Sequence, residues 1–447
     1  MDTKISLQRR AELMQHMEGG VAIIPTAPIR PRNGDVTYPF RPDSDFYYLT
    51  QFPEPEAVAV LVPGRGHGEY ILFCRERNPE KETWEGRRAG IEGARDIYGA
   101  DDAFPIDDID EILPGLLENR DKVFYSIGRY ADFDTRLMGW VNEVRGKSRT
   151  GVHAPVEFVD LNHILHEMRL IKRPEEIKLM KRAARISAAA HRRAMQACRP
   201  GMNEYEIEAE LLYEFRKGGA QFPAYPAIVG GGANACILHY TENNAVLRDG
   251  DLLLIDAGAE YDGYAADITR TFPVNGRFSA EQRAAYEVVL AAQQAAIEQV
   301  RPGLHWNAPH DAAVRVLTQG LVDLGLLSGS VDGLIEQGGY KRFYMHRTGH
   351  WLGMDVHDVG DYKIADAWRE LEPGMVLTVE PGLYFAAGPD VPAAFANIGI
   401  RIEDDALVTR DGCEILTRDA PKQIGDIEAL MRDASGDARS RVAGVRS

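Results

Sequence analysis

Acidic residues placed inside apolar segments constrain the fold of this chain more than any other feature. Asp256 ends the run LLLID, Asp267 lies in YAADITRTF, Glu380 follows VLTV and Glu403 follows GIRI. A buried carboxylate without a partner is costly, so it is normally protonated, paired or bound to a metal ion. Four of them converging would need cations, and we expect the second half of the chain to fold around a metal centre.

The first pair of acids belongs to a predicted hairpin. Asp262-Gly263 is a strong signal for a two-residue turn. With that turn, Gly258 lies opposite Asp267, and Asp256 lies on the same face, diagonal to Asp267 at roughly 7–8 Å. We expect the glycine to leave room for an ion. The alternative is an ordinary hairpin with two surface aspartates.

The second pair of acids lies near the ends of two further predicted strands, VLTVEPGLYF and GIRIEDDALV. Arg401 and Glu403 are two residues apart and therefore share one face of the strand. The alternative for Glu403 is an exposed strand end, with Asp404 and Asp405 as solvated neighbours. Taken alone, the pattern around Glu403 favours this alternative.

Two sequence motifs each occur twice in the chain and predict that these strands come from related halves. LRDGDLLLIDAG (residues 247–258) aligns without a gap with LEPGMVLTVEPG (residues 371–382), and the strand-borne acids fall in register. Arg-Pro-Gly closes a helical stretch at residues 199–201 and again at 301–303. The copies are too few for a solenoid, so we expect each half to supply one strand-borne acid to a common centre.

The segment MHRTGHWLGMDVHDVG concentrates histidines His346, His350 and His357. Two of them are four residues apart, but Arg347 follows the first, so the HExxH zinc-protease pattern is absent. The glycines of the segment favour a strand or loop. We expect at least one metal ligand here; the alternative for each histidine is an ordinary position in the core.

Length and composition indicate a two-domain protein without nucleic-acid or membrane partners. A chain of 447 residues is long enough for two domains. A net charge of −17 argues against nucleic acid, and no apolar run is long enough to span a bilayer. The N-terminus reads as a helix of mixed charge, and the four cysteines lack CxxC spacing. We therefore expect a cytoplasmic protein without a disulfide framework, and a polar C-terminal tail without packed structure.

The motifs ILHYTEN, LLLIDAGAEYDGYAADITRTFPV, HxxxHWLGxDVHDVG, LEPGMVLTVEPGLY and GIRIEDD resemble those of the pita-bread metallopeptidases, most closely the bacterial aminopeptidase P family. The resemblance covers nearly the whole chain. It implies an α/β and α+β fold. An N-terminal α/β domain (residues 1–170) would serve substrate access and oligomerisation. A catalytic pita-bread domain (residues 171–447) with a pseudo-twofold internal repeat would follow.

The same resemblance implies a dinuclear metal site in which Asp267 and Glu403 bridge the ions. Asp256 would complete the first site, and His350 and Glu380 the second. Manganese is our preferred ion because most ligands are oxygens, with cobalt and zinc as alternatives. Glu380 would also accept the proton of the attacking water.

Further site residues follow from the resemblance or from chemistry. The expected catalytic set is Glu380, His357, His239 and Arg401, and the expected substrate-binding set is His346, Tyr225, Tyr384, Asp35, Arg149 and Trp84. Tyr225 would form an apolar wall for proline, although a plain loop aromatic is the alternative. The chain departs from the family at Arg347-Thr348, which stands where the family usually has Gly-Leu, and we expect the bulky cation there to reshape the leaving-side pocket.

We expect a homo-oligomeric Xaa-Pro aminopeptidase, acting on peptides with proline in second position. The alternatives are a prolidase restricted to Xaa-Pro dipeptides, a metal-free creatinase-like hydrolase, and a catalytically silent peptide-binding module on the same fold.

Overall fold

The computed structural model of the protein describes the backbone of residues 3–444 and the side chains of residues 4–434. The chain divides into two compact units, Met1–His166 and Glu167–Ser447.

The first unit is an α/β fold around one six-stranded mixed sheet. Its helices are α1 (Thr3–His16), α2 (Ser44–Thr50), α3 (Pro79–Glu85), α4 (Gly90–Asp96), α5 (Ile109–Leu117) and α6 (Ala131–Gly146), and α7 (Asn162–Leu170) contains the division between the units. Its strands are β1 (Val21–Pro25), β2 (Pro31–Asn33), β3 (Val36–Thr37), β4 (Val58–Leu61), β5 (Tyr70–Cys74), β6 (Asp102–Pro105), β7 (Lys122–Phe124) and β8 (Glu157–Val159). The sheet order is β6-β5-β4-β1-β7-β8. The strands β4 and β5 near its centre are fully buried.

The second unit packs long helices against several small antiparallel sheets. Its helices are α8 (Pro174–Ala197), α9 (Glu204–Lys217), α10 (Ala280–Ile297), α11 (Ala308–Asp323), α12 (Val331–Glu336) and α13 (Ile424–Gly444). Its strands are β9 (Phe222–Pro223), β10 (Ile228–Gly231), β11 (Leu252–Asp256), β12 (Ala259–Tyr261), β13 (Tyr264–Ala265), β14 (Thr269–Pro273), β15 (Lys363–Ile364), β16 (Ala367–Trp368), β17 (Val376–Val379), β18 (Gly382–Phe385), β19 (Ile398–Arg401), β20 (Asp404–Val408) and β21 (Cys413–Ile415). The sheets β10-β11-β14 and β17-β20-β21 carry the predicted acids on or next to their strands.

The internal repeat is visible in matching backbone hydrogen bonds. The N–H of Gly201 donates to the carbonyl of Leu247 (2.8 Å), and the N–H of Gly303 donates to the carbonyl of Leu371 (3.2 Å). Gly201 corresponds to Gly303, and Leu247 to Leu371, in the two repeated motifs. In each half, an Arg-Pro-Gly turn after a long helix is therefore tied to the residue that leads into the central strand.

The two central strands are entered and left in the same way. Gly250 and Gly374 both adopt positive φ, +90° and +100°, at the turns before β11 and β17. Asp256 ends β11, and Glu380 directly follows β17. Glycine is suited to the turn because a side chain is strained at such φ values. The predicted relation between the halves is confirmed at this level.

The C-terminal tail differs from expectation. Helix α13 continues through it to Gly444, so the expectation of an unstructured tail is wrong for the described backbone, and residues 445–447 lie outside the described part. The four cysteines are free thiols. None of the helices in the described part of the chain combines the length and apolar character that a bilayer crossing needs.

Candidate metal centre and active site

The hairpin that carries the first acids has the predicted turn. Asp262 and Gly263 both have positive φ, +51° and +79°, and the flanking strands pair with the register that this turn sets. The expected role of Gly258 is wrong, however. A Cβ built on Gly258 would lie 1.6 Å from the carbonyl oxygen of Ala266 and 3.3 Å from the Cα of Asp267. Because Gly258 has no side chain, the backbone of the opposite strand can approach closely. That backbone fills the space in which we expected an ion.

The structure brings the five expected ligands together at one cavity of about 840 Å³ in the second unit. They are Asp256, Asp267, His350, Glu380 and Glu403. One ligand atom each from Asp267, His350 and Glu403 lies within 4.8 Å of the other two. Spacing of this kind suits donor atoms that share cations.

His350 turns its second ring nitrogen, Nε2, toward the carboxylates. Its Nδ1 lies 2.9 Å from the carbonyl oxygen of Trp351, which assigns the ring proton to Nδ1. Nε2 then faces Asp267 Oδ2 at 3.4 Å and Glu380 Oε1 at 3.7 Å. Burial would lower the pKa of His350, but these two carboxylates outweigh it and raise that pKa to about 9. The position between the carboxylates therefore favours positive charge.

Burial also raises the pKa of two of the acids, because the nearby positive charges do not offset its effect. It raises the pKa of Glu380 to about 7, against the opposing effect of His350. It raises the pKa of Glu403 well above its usual range, and repulsion from Asp267 adds to the shift. Bound divalent cations would supply the missing charge, and the donor set of four carboxylates and one imidazole suits them.

The hydroxyl of Tyr225 lies between two of the acids. It contacts Oδ1 of Asp256 at 2.6 Å and also contacts Oδ1 of Asp267. A phenol has one proton, so it donates to only one carboxylate at a time. Tyr225 is therefore part of the acid cluster as well as of the cavity wall, a contact that reasoning from the sequence did not anticipate.

A chain of polar contacts leads from Asp256 to His346. Arg401 Nη2 donates to Asp256 Oδ2 at 2.6 Å, and Arg401 Nη1 donates to the hydroxyl of Tyr384 at 3.0 Å. That hydroxyl lies 2.8 Å from His346 Nε2, while His346 Nδ1 lies 2.7 Å from the carbonyl oxygen of Arg347. Burial, reinforced by Arg401, lowers the pKa of His346 to about 3. His346 is thus neutral, with Nδ1 as donor and Nε2 as acceptor.

The remaining predicted residues fall into two groups. His239 and His357 are exposed and line the same cavity, and burial of part of the ring lowers the pKa of His357. Asp35, Trp84 and Arg149 belong to the first unit, where all three are exposed. Their role toward substrate stays a prediction.

The two acids after Glu403 are not solvated, so that alternative is wrong. Asp404 is fully buried between Arg270 (2.7 Å) and Lys422 (2.6 Å). Asp405 is 1% exposed and accepts the backbone N–H of Asp267 at 3.2 Å. The acid run is thus part of the support behind the site. Its apolar flank, ALV, was a signal for burial.

Thr269 and three aromatic residues at the site were not predicted from the sequence. Thr269 Oγ1 donates to Glu403 Oε2 at 2.7 Å and accepts from Arg401 Nε at 3.0 Å. Trp306, Tyr362 and Trp368 line the cavity near Arg347, and we call these three rings the aromatic wall. Trp306 is far in sequence from the other two rings, and only tertiary packing joins it to them.

A carboxylate–imidazole cluster at an open cavity in a repeated α+β unit defines a metal-dependent hydrolase. The chain belongs to metallopeptidase family M24, whose family model matches residues 178–410. Residues 7–125 match the model of the aminopeptidase P N-terminal domain.

The chain is similar to curated and solved relatives over nearly its whole length. It is 48% identical to the Xaa-Pro aminopeptidase of Escherichia coli (strain K12) over 426 residues, 95% of this chain and 96% of the relative. Aminopeptidase PepP of Pseudomonas aeruginosa is 60% identical, with a TM-score of 0.97 over 98% of this chain and 99% of that one. Proline aminopeptidase P II of Yersinia pestis is 50% identical, with a TM-score of 0.94 over 97% and 100%.

Proposed function

We propose that this chain is a metal-dependent Xaa-Pro aminopeptidase, which removes the N-terminal residue from peptides with proline in second position. The observation that carries the proposal is the convergence of Asp256, Asp267, His350, Glu380 and Glu403 at one cavity. The relatives named above support the same activity. Peptides are therefore the expected partners.

The metal assignment of the sequence analysis remains our proposal. Asp256, Asp267, His350, Glu380 and Glu403 would hold two divalent ions. We propose manganese because hard oxygen donors dominate, with cobalt or zinc as alternatives; a zinc-substituted form of the Escherichia coli aminopeptidase P is known in complex with product. When bound, two such ions polarise a carbonyl and lower the pKa of water.

The protein groups around that centre have separate proposed roles. Glu380 accepts the proton of the attacking water, because burial keeps its carboxylate basic. Arg401 orients Asp256 through their ion pair (2.6 Å). His357 and His239 lie at the cavity surface, where they would stabilise the developing charge or the leaving nitrogen.

Recognition of proline must rest on shape, because the nitrogen of an Xaa-Pro bond carries no hydrogen to donate. Tyr225, Tyr384 and His346 present rings near the acids, and all three line the cavity or contact its lining residues. We propose that these rings hold the substrate around the scissile bond.

We further propose the domain roles expected from the sequence. Residues 1–170 would control substrate access and oligomerisation, and residues 171–447 would perform catalysis in a cytoplasmic homo-oligomer. Asp35 would bind the α-amino group, and Trp84 and Arg149 would contact substrate. Hydrolysis of tripeptides and longer peptides by an Asp35→Ala variant is the test, and unchanged activity would remove that role.

The central experiment is metal analysis combined with hydrolysis of an Xaa-Pro-Xaa peptide before and after chelation. We expect two divalent ions per chain, loss of activity on chelation, and its return with manganese. Cleavage of Xaa-Pro dipeptides alone would favour a prolidase. Peptide binding that survives chelation, without hydrolysis under any added metal, would favour a silent binding module.

A further inference from the structure

An exposed arginine lines the cavity that holds the acid cluster. Arg347 lines the cavity together with the aromatic wall, and its side chain is exposed. Its guanidinium carbon lies 5.3 Å from the centroid of the Trp368 ring. Arg347 also donates through Nη2 to Oδ1 of Asn307, the residue before helix α11. An arginine with these two contacts is held in place, although solvent still reaches it.

The positive charge of Arg347 has no carboxylate partner among the described residues. Among the described residues, its polar side-chain contact is the neutral amide of Asn307, and no carboxylate forms an ion pair with it. A guanidinium has five N–H donors, so several remain for a ligand in the cavity. This differs from Arg401, whose guanidinium is buried and paired with Asp256. The two arginines therefore have different tasks.

The chemistry of the substrate identifies what such a group would bind. Arginine matches a carboxylate with two parallel hydrogen bonds. A peptide has a carboxylate at its C-terminus, and otherwise only on Asp or Glu side chains. The backbone of Arg347 accepts from His346, a ring that lies 3.8 Å from Glu380 (Nδ1 to Oε2). Arg347 thus follows a residue that faces the acid cluster and lines the same cavity, a position suited to the far end of a short peptide.

We infer that Arg347 binds the C-terminal carboxylate of short peptide substrates and makes the enzyme prefer tripeptides and tetrapeptides with a free C-terminus. This inference rests on the proposed function. The aromatic wall would cover the residues between the proline and that carboxylate. Binding remote from the reacting bond acts on ground state and transition state alike, so it lowers KM and leaves kcat unchanged.

The experiment compares Xaa-Pro-Xaa and Xaa-Pro-Xaa-Xaa peptides as free acids and as C-terminal amides. For the metal-loaded native enzyme we expect kcat/KM about fivefold higher for the acids, the factor that an ion pair of about 1 kcal/mol provides. The preference should reside in KM, weaken at high salt and vanish for a ten-residue peptide. Arg347→Met should abolish it, and Arg347→Lys should restore part of it.

Lys363 supplies a matched control. Its Nζ lies 4.4 Å from the centroid of the same Trp368 ring, but Lys363 is not among the residues that line the cavity. Lys363→Met removes an equal charge and should keep the preference for free acids. If both variants reduce the preference equally, the effect is general electrostatics and the inference is wrong.

Two further measurements separate the possible failures. Amidated peptides with Glu or Gln after the proline test for side-chain carboxylates, and an equal preference for Glu would overturn the assignment to the C-terminus. Dissociation constants of Pro-Leu and Pro-Leu amide give a readout without turnover, and we expect the acid to bind more tightly only while Arg347 is present. Peptide hydrolysis without any preference would refute the inference alone, whereas absence of hydrolysis would refute the proposed function.

Discussion

At the scale of the residue, Glu380 shows how a single carboxylate can be suited to two tasks. Burial raises its pKa to about 7, and its Oε1 faces His350 Nε2 at 3.7 Å. A carboxylate that holds a proton so readily at neutral pH is suited to proton transfer. The nearby hydrogen-bond donor is Thr378, whose Oγ1 lies 3.4 Å from Glu380 Oε1.

We predict that Glu380→Gln lowers kcat by about 10²–10⁴-fold, because the amide cannot accept a proton. The measurement is kcat on a tripeptide together with elemental analysis of the purified variant. Glu370→Gln is the control, since Glu370 is exposed and does not line the cavity. Full turnover by Glu380→Gln with both ions retained would contradict the proposed proton transfer.

Asp404 and Asp405 are adjacent aspartates whose pKa values are shifted in opposite directions. Burial raises the pKa of Asp405 well above its usual range, and repulsion from Asp267 adds to the shift. For Asp404 burial acts in the same direction, but Arg270 and Lys422 outweigh it and lower the pKa to about 2. Partners, and not residue type, decide which of these two aspartates is ionised.

At the scale of the element, the hairpin between β11 and β14 depends on close approach of its strands. Gly258 has no room for a side chain because the carbonyl of Ala266 occupies that space. The contact is directly beside Asp267, so packing and ligand geometry are coupled there.

Gly258→Ala is therefore expected to lower the thermal midpoint and to weaken metal binding. Overpacking of this kind costs about 1–3 kcal/mol or more. Gly412→Ala is the matched control, because a Cβ there would meet nothing within 4 Å. Scanning calorimetry and metal titration of both variants would check this, and equal midpoints for the two would contradict the packing argument.

The loop that carries His357 is held by buried ion pairs. Asp358 accepts from Lys172 Nζ at 2.9 Å and from Arg169 Nη2 at 2.6 Å, and each of these three side chains is at most 2% exposed. Burial opposes ionisation of Asp358, but Lys172 and Arg169 outweigh it and lower its pKa.

We predict that Asp358→Asn reduces the free energy of unfolding at pH 7 by about 3–5 kcal/mol, because it removes the carboxylate partner of buried Lys172 and leaves Arg169 with Asp355. A lowered folded-state pKa gives stability above the unfolded-state value of about 3.9, and this stability is lost as the pH falls through the folded-state pKa. The difference between native protein and variant should therefore shrink below about pH 4. Urea unfolding at pH 7, 4 and 3 measures it, with exposed Asp361→Asn as the control; a difference independent of pH would be the contrary result.

At the scale of the whole molecule, the second unit gathers an excess of negative charge at one cavity. Its two halves each deliver a central strand to the cavity, and the acids of both halves meet there. Cations that bind the folded state and not the unfolded chain stabilise it by mass action.

Chelation is expected to lower the unfolding midpoint, since an ion at about 100 times its dissociation constant contributes about 2.7 kcal/mol. Without metal, Glu380 (pKa about 7) and His350 (about 9) bind protons more tightly when folded. Their contribution is full below the unfolded-state values and is lost as the pH rises through 7 and 9. The midpoint gain on adding manganese should thus be larger at pH 8.5 than at pH 6. Asp267→Asn should lose this gain, and a midpoint insensitive to metal would oppose the dinuclear site.

Short segments of the sequence were sufficient to predict much of the local structure of this protein. Turn residues set the hairpin register, apolar runs became the strands, and Arg-Pro-Gly with its paired strand motif marked the repeat, because each depends on neighbours close in the chain. Tertiary structure alone decided the burial of Asp404 and Asp405, the reason for Gly258, the contact of Tyr225 with two acids, and the exposed charge of Arg347 beside the aromatic wall. These depend on which distant segments meet, and the free energy of a charged group is set by those partners.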